Sequence, residues 1–162
     1  MNIEKIMIAF DGSENSRRAV AYTAAMTGTG PERRVTVAAI ERPPDRDLFP
    51  DDASWKDECA RRVARVHEAL GEARAMLLRA GLAEDRVETR FVASCRSPLR
   101  ESQECSIGTS IALEILRLAE EGGYGTVVVG RRGVSKQEEF LFGSVSTKII
   151  QAAKGLAVWV VA

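Results

Sequence analysis

Three glycines fall in the stretch GRRGVSKQEEFLFGS, residues 130–144: Gly130, Gly133 and Gly143. The first two follow a short apolar run, TVVV, and the third precedes a segment with helical spacing of apolar residues. Phosphate is held by backbone N–H groups that converge with no Cβ in the way, and by the free N–H groups and partial positive charge of a helix N-terminus. Glycines after a strand and before a helix answer both needs. Ser144 and Ser146 add hydroxyls at the helix start, and Arg131, Arg132 and Lys136 add positive charge that Glu138 and Glu139 partly offset. The same glycines also suit a plain pair of turns, so at this point a phosphate cradle and a two-turn connection both stay open. A second polar segment, DGS at 11–13, follows the first apolar run, and its Asp11 can either cap a helix or face a ligand.

Other chemistries fail on spacing. The chain has no G-x-x-x-x-G-K-[ST], no G-x-G-x-x-G after its first strand and no G-x-S-x-G elbow. His67 is the only histidine and lies inside a helical pattern, which argues against a Ser-His triad and against a zinc site of His and Cys. The three cysteines, Cys59, Cys95 and Cys105, form no C-x-x-C pair, and an odd count argues against a disulfide framework. Cys95 and Cys105 flank an irregular connection and could serve as a redox pair, but free thiols are the expectation for a cytosolic chain. No catalytic residue and no metal ligand is assigned.

Lys+Arg and Asp+Glu balance at 23 each, so no excess of positive charge points to a nucleic acid or an anionic membrane. No apolar run approaches the ~20 residues of a membrane-spanning helix, and MNIEKIMIAFDGS lacks the apolar core of a signal peptide. The expectation is a cytoplasmic protein. Its 162 residues fit one domain, 1–162.

The elements that must position these residues alternate. KIMIAF at 5–10 is a short apolar run of the kind that forms a strand buried on both faces. A helix follows to about Met26, and TGTGP stops it. RVTVAAI at 34–40 is the second strand. The connection ERPPDRDLFPDDAS, broken by Pro43, Pro44 and Pro50, reads as a surface loop or a lid. Trp55, Cys59, Val63, Val66, Leu70, Ala73 and Leu77 then make one apolar stripe over six turns of helix, read as core packing and closed by Gly81. Residues 86–93 form a third strand nearer a sheet edge. Residues 94–110 show no period and make a longer connection than a compact domain needs. A helix with Ile111, Leu113, Ile115, Leu116 and Leu118 on one side leads to a fourth strand at 126–129. The last helix starts near Gly143 with Val145, Ile149, Ile150 and Ala153 inward, and LAVWVV at 156–161 is the fifth strand. This alternation is that of an α/β protein, a doubly wound parallel sheet with helices on both faces. In such sheets ligands bind beyond the carboxyl ends of the strands where the order reverses. Asp11 then faces Gly130 across the crevice.

With strand, loop and helix in place, the G-x2-G-x9-G-[ST] of Gly130, Gly133, Gly143 and Ser144 resembles the ATP-binding signature of the universal stress protein family. KIMIAFDGSENSRRAV resembles that family's first strand and helix start, and TVVVGRRG and FGSVSTKIIQAAKGLAVWVV its fourth strand, last helix and last strand. The resemblance implies a five-stranded sheet in the order 3-2-1-4-5 and binding of ATP, with Mg or Mn able to bridge the phosphates. By position, it places Asp11 by the ribose and adenine, Ala9 on the floor and Ile40 against the adenine. Gly130, Arg132 and Gly133 would wrap the ribose and phosphates, and Gly143, Ser144, Val145 and Ser146 would bind phosphates. The segment VSKQEEFLF becomes a flap. Edge physics and the resemblance together point to a homodimer around 156–161. The chain departs from the family at Gly125, usually acidic, near Ala157, usually proline, and in the length of 94–110. Three functions remain: a nucleotide-binding regulator, which is favoured; a slow ATPase or nucleotidyl-transfer enzyme on the same site; and a scaffold that binds no nucleotide.

Overall fold

The structure, a computed structural model, describes residues 2–27, 33–101, 104–108, 110–131 and 144–162. Five strands form one all-parallel sheet: β1 (Asn2–Ala9), β2 (Arg34–Ile40), β3 (Val87–Val92), β4 (Tyr124–Gly130) and β5 (Ala157–Val161). Their spatial order is β3-β2-β1-β4-β5, as expected. β1 is the central strand, buried on both faces, because Ile6, Met7 and Ile8 are apolar in succession and leave neither side for water.

Four helices connect the strands: α1 (Glu14–Thr27), α2 (Asp52–Arg79), α3 (Ile111–Glu121) and α4 (Ser144–Ala152). α1 and α2 cover one face, packing Val20, Leu70 and Leu77 on Ile6, Ile8, Val35, Val37 and Val128. α3 and α4 cover the other, packing Ile115, Leu118 and Ile149 on Met7, Val127 and Val129. Successive side chains of a strand point to opposite faces, so each apolar strand feeds both cores. The chain order on the two faces reverses between β1 and β4, which places the switch point there.

Several elements differ from the sequence expectation. β4 begins at Tyr124, earlier than the TVVV run, because glycine tolerates the close strand approach that any other residue would block. A Cβ on Gly125 would lie 2.3 Å from the carbonyl oxygen of Asn2. α2 starts before Trp55, at Asp52, where the Asp51 carboxylate accepts from the Ser54 backbone N–H at 2.7 Å. Its apolar stripe divides in two. Leu70, Ala73 and Leu77 are core, whereas Trp55, Val63 and Val66 are half-buried, Val63 and Val66 beside an open groove. Leu113 and Ile150, expected inward, are exposed at 48% and 45%; Ala112, Ala119 and Ser146 fill the inward positions of their helices instead. Small residues at those positions let α3 and α4 lie close to the sheet, which apolar periodicity alone does not encode.

The described residues of the 94–110 connection form neither helix nor strand. They are held by an isolated parallel bridge between Ser94 and Ser106 and by a disulfide, Cys95–Cys105. The expectation of free thiols at these two positions is therefore corrected. The sequence shows nine residues between them but not that Ser94 and Ser106 pair beside them, which is what brings the sulfurs together. Cys59 is the free cysteine and is buried.

Candidate functional site

The strand ends set a crevice on the α3–α4 face, at the switch point. Its floor is apolar: Ala9 of β1, Ala38 and Ile40 of β2, and Val129 of β4. Ile111 and Ile115 of α3 form one wall and Val145 of α4 another. The rim is polar, with Asp11, Ser13, Asn15 and Ser16 from the β1–α1 junction and Ser144 and Ser146 from the first turn of α4. Two helix N-termini, those of α1 and α4, thus open at one crevice, and both favour anionic groups near them.

The β1–α1 junction is built by short-range hydrogen bonds. Asp11 Oδ1 accepts from the Ser13 backbone N–H at 3.0 Å, and Ser13 Oγ accepts from the Ser16 backbone N–H at 3.3 Å. Ser16 Oγ donates back to the Ser13 carbonyl at 2.9 Å. Ser13 therefore caps α1. Asp11 does not cap α1: its carboxylate holds the turn before the helix and lines the crevice.

Gly130 lies at the end of β4 against the first turn of α1. A Cβ there would stand 2.4 Å from the Asn15 carbonyl oxygen and 2.8 Å from the Ser16 nitrogen. Its glycine is required by this backbone approach, which brings the α1 N-terminus up to the crevice. Arg131 follows, its N–H donating to the Val161 carbonyl.

Of the ten residues expected at a site, Ala9, Asp11, Ile40, Gly130, Ser144, Val145 and Ser146 come together around this one crevice. Arg132, Gly133 and Gly143 lie outside the described residues, as does the expected flap. Sequence reasoning missed Ser13, Asn15 and Ser16, although the polar run DGSENS after a strand was a usable signal. It also missed Arg42, an exposed residue just past β2 and the one cation among the described lining residues. Ile111 and Ile115 read as core because periodicity marks an inward face without saying that the strand ends stop short of it.

Glu41, next to Arg42, is 9% exposed and its carboxylate is fully engaged. It accepts from the Ser94 backbone N–H at 2.8 Å and from Ser97 Oγ at 2.7 Å. Burial above all, and then the Glu41 charge, push the Cys59 thiol above its ordinary pKa. Glu41 and Cys59 both face a separate groove on the α2 side of the sheet, walled by Phe10, Val63, Val66 and Phe91. No cluster of three or more His, Cys, Asp or Glu side chains suited to a metal occurs among the described residues. None of the described helices is long and apolar enough to cross a membrane.

Fold and crevice together define the class: a doubly wound α/β protein with a crevice where the sheet order reverses. Residues 2–162 match the model of the universal stress protein family, and the chain belongs to that family. It resembles the crystal structure of a universal stress protein in complex with cAMP, at 21% identity and a TM-score of 0.65, over 99% of this chain and 98% of that one. A universal stress family protein from Burkholderia pseudomallei is similar at 20% identity and a TM-score of 0.64, over 98% and 95% of the two chains. One from Archaeoglobus fulgidus is similar at 18% identity and a TM-score of 0.63, over 100% and 95%. No curated protein matches the sequence.

Proposed function

We propose that this universal stress protein, acting as one domain over residues 1–162, binds ATP in the crevice between β1 and β4 and works as a nucleotide-dependent regulator. The observation that carries the reading is the pairing of an apolar floor with a hydroxyl-bearing rim at two helix N-termini. Adenine is a flat apolar ring that needs such a floor, and Ala9, Ile40 and Val129 supply it. Phosphates need N–H and O–H donors, and the α4 start with Ser144 and Ser146 supplies them. In this reading Asp11 faces the ribose, Gly130, Arg132 and Gly133 wrap the ribose and phosphates, and Gly143 and Val145 offer backbone N–H groups. Mg or Mn bound with the nucleotide would offset the phosphate charge, and the protein need not supply its ligands. That a similar protein was crystallised with cAMP supports an adenine nucleotide as the ligand class.

Binding is favoured over turnover by the state of Asp11. It is the one carboxylate among the described lining residues, and its Oδ1 already accepts from Ser13, which fits a positioning role better than that of a general base. The alternative, a slow ATPase or nucleotidyl-transfer enzyme on the same site, is tested together with binding. The protein is purified, denatured and assayed for released adenine nucleotide, and ATP turnover is then followed with Mg²⁺. Retained ATP that persists for hours supports the regulator. Turnover lost in Gly133→Val supports the enzyme, and no nucleotide with no affinity at millimolar ATP removes both. Ser144→Ala and Ser146→Ala should each weaken ATP binding about tenfold, the worth of a hydrogen bond to a charged group.

The reading includes a cytoplasmic homodimer joined along β5, with no role for nucleic acid or membrane. The balanced charge of the chain supports the latter.

A further inference from the structure

We infer that the Cys95–Cys105 disulfide is a redox clasp on the crevice, set to tighten nucleotide binding when oxidised and loosen it when reduced; the nucleotide part rests on the function proposed above. The clasp does not line the crevice but ties together the two segments that lead into its walls. On one side, Ser94 gives its N–H to Glu41, and Glu41 stands between Ile40 and Arg42, both lining residues. On the other side, Ser106 donates its N–H to the Ala93 carbonyl and accepts through its own carbonyl from Cys95, each at 2.8 Å. Ser106 Oγ also accepts from the Gly108 N–H at 3.3 Å, and Ser110 then caps α3, whose Ile111 and Ile115 form the opposite wall. The S–S bond is the covalent tie beside the Ser94–Ser106 bridge, which is otherwise a single isolated ladder step. Without it, the α3 start is held to the end of β3 by the Ser94–Ser106 hydrogen bonds and by the apolar cluster that Ala112 and Ile115 share with Val92.

Both cysteines are half-buried, within reach of a small or protein dithiol. Arg100 Nη1 lies 3.2 Å from Cys105 Sγ. A guanidinium there favours Cys105 as the departing thiolate. The step is ordinary exchange. A reductant thiolate attacks Cys95 Sγ, the S–S bond breaks, and its electron pair leaves on Cys105, which takes up a proton. The second thiol of the reductant then displaces Cys95 from the mixed disulfide. Two electrons and two protons pass from the dithiol to the protein, and the reductant ends as its own disulfide. The reverse reaction restores the clasp from an oxidised dithiol.

The test uses the full chain with dithiothreitol as reductant. Before reduction an alkylating agent should label neither Cys95 nor Cys105, and afterwards it should label both; labelling of the pair in unreduced protein overturns the proposal. ATP affinity should fall at least about fivefold on reduction, the low end of ordinary coupling between sites. Cys95→Ser/Cys105→Ser should bind like the reduced form and ignore dithiothreitol. By linkage, saturating ATP should lower the reduction potential of the pair by about 20 mV, that fivefold factor converted for two electrons. Equal affinity in the oxidised, reduced and double-serine forms overturns the proposal. If neither redox form binds ATP, the proposed nucleotide function fails and hydrogen exchange still decides the clasp. Faster exchange in the first turns of α3 on reduction retains it as a device on the crevice wall, and unchanged exchange there overturns it.

Discussion

At Gly130 a single missing Cβ governs both fold and crevice. The 2.4 Å gap to the Asn15 carbonyl means that Gly130→Ala must push the first turn of α1 away from β4 or strain the strand end. Overpacking of this kind costs about 1–3 kcal/mol. Gly130→Ala should therefore lower stability by that amount in urea unfolding and also weaken ATP binding, because Asn15 and Ser16 move with α1. Unchanged stability would show that the backbone gives way freely. The sequence pointed to Gly130 as a place where phosphate could come close. The contact that demands glycine is instead with the protein's own backbone, and no residue pattern reveals which neighbour a glycine faces.

Elements set the next level, and α2 is the clearest case. Its N-terminus is held by Asp51, whose carboxyl is kept below the ordinary Asp pKa by the hydrogen bonds from the Ser54 N–H and Ser54 Oγ. A depressed folded pKa means that the cap's contribution is present above the unfolded pKa of about 3.9 and is lost as pH falls through the lower folded value. The Ser54 amide resonance should titrate with a midpoint below that of a free Asp. Asp51→Ala should speed amide exchange in the first turn of α2 at neutral pH, whereas Asp51→Asn, an equally good cap, should change it little. Equal exchange in all three forms would contradict the cap. Much of this scale was legible beforehand. Five apolar runs with helical segments between them fixed the order of elements, since period and length survive in any context. The extent of α2 was not, because Asp51 and Asp52 sit in a run that reads as loop until a helix claims them. The outward turn of Leu113 and Ile150 was not either, since a broad apolar side leaves open which residue sits at its edge. The Cys95–Cys105 bond was hidden for a different reason: it depends on the pairing of Ser94 with Ser106, a contact between two segments of no regular period.

For the whole molecule, the two sheet edges are unlike. β3 carries Glu88, Thr89 and Arg90, and charge along an edge discourages further pairing. β5 reads AVWVV, carries no charge, and leaves Trp159 half-buried with its ring edge-to-face on Tyr22 at 6.1 Å. The proposed dimer uses that edge. Val160→Lys should shift the species seen by light scattering from dimer to monomer while circular dichroism stays unchanged; a wild-type chain that runs as a monomer at all concentrations would remove the dimer from the account. The crevice was legible at this scale as a place, the ends of β1 and β4, once a doubly wound order sets those two strands side by side. Its walls were not, since Ser16 and Ile111 reach it only through the packing of α1 and α3 on opposite sides of the sheet, and Arg42 only from the turn past β2. The central claim is that ATP occupies the α3–α4 side of that switch point. Backbone amide resonances followed during an ATP titration test it most directly. The account predicts saturable shifts at Ala9, Ile40, Ser144 and Ser146, with Val63, Val66 and Phe91 of the α2-side groove left in place. No shifts at millimolar ATP, or shifts confined to the α2-side groove, would contradict it.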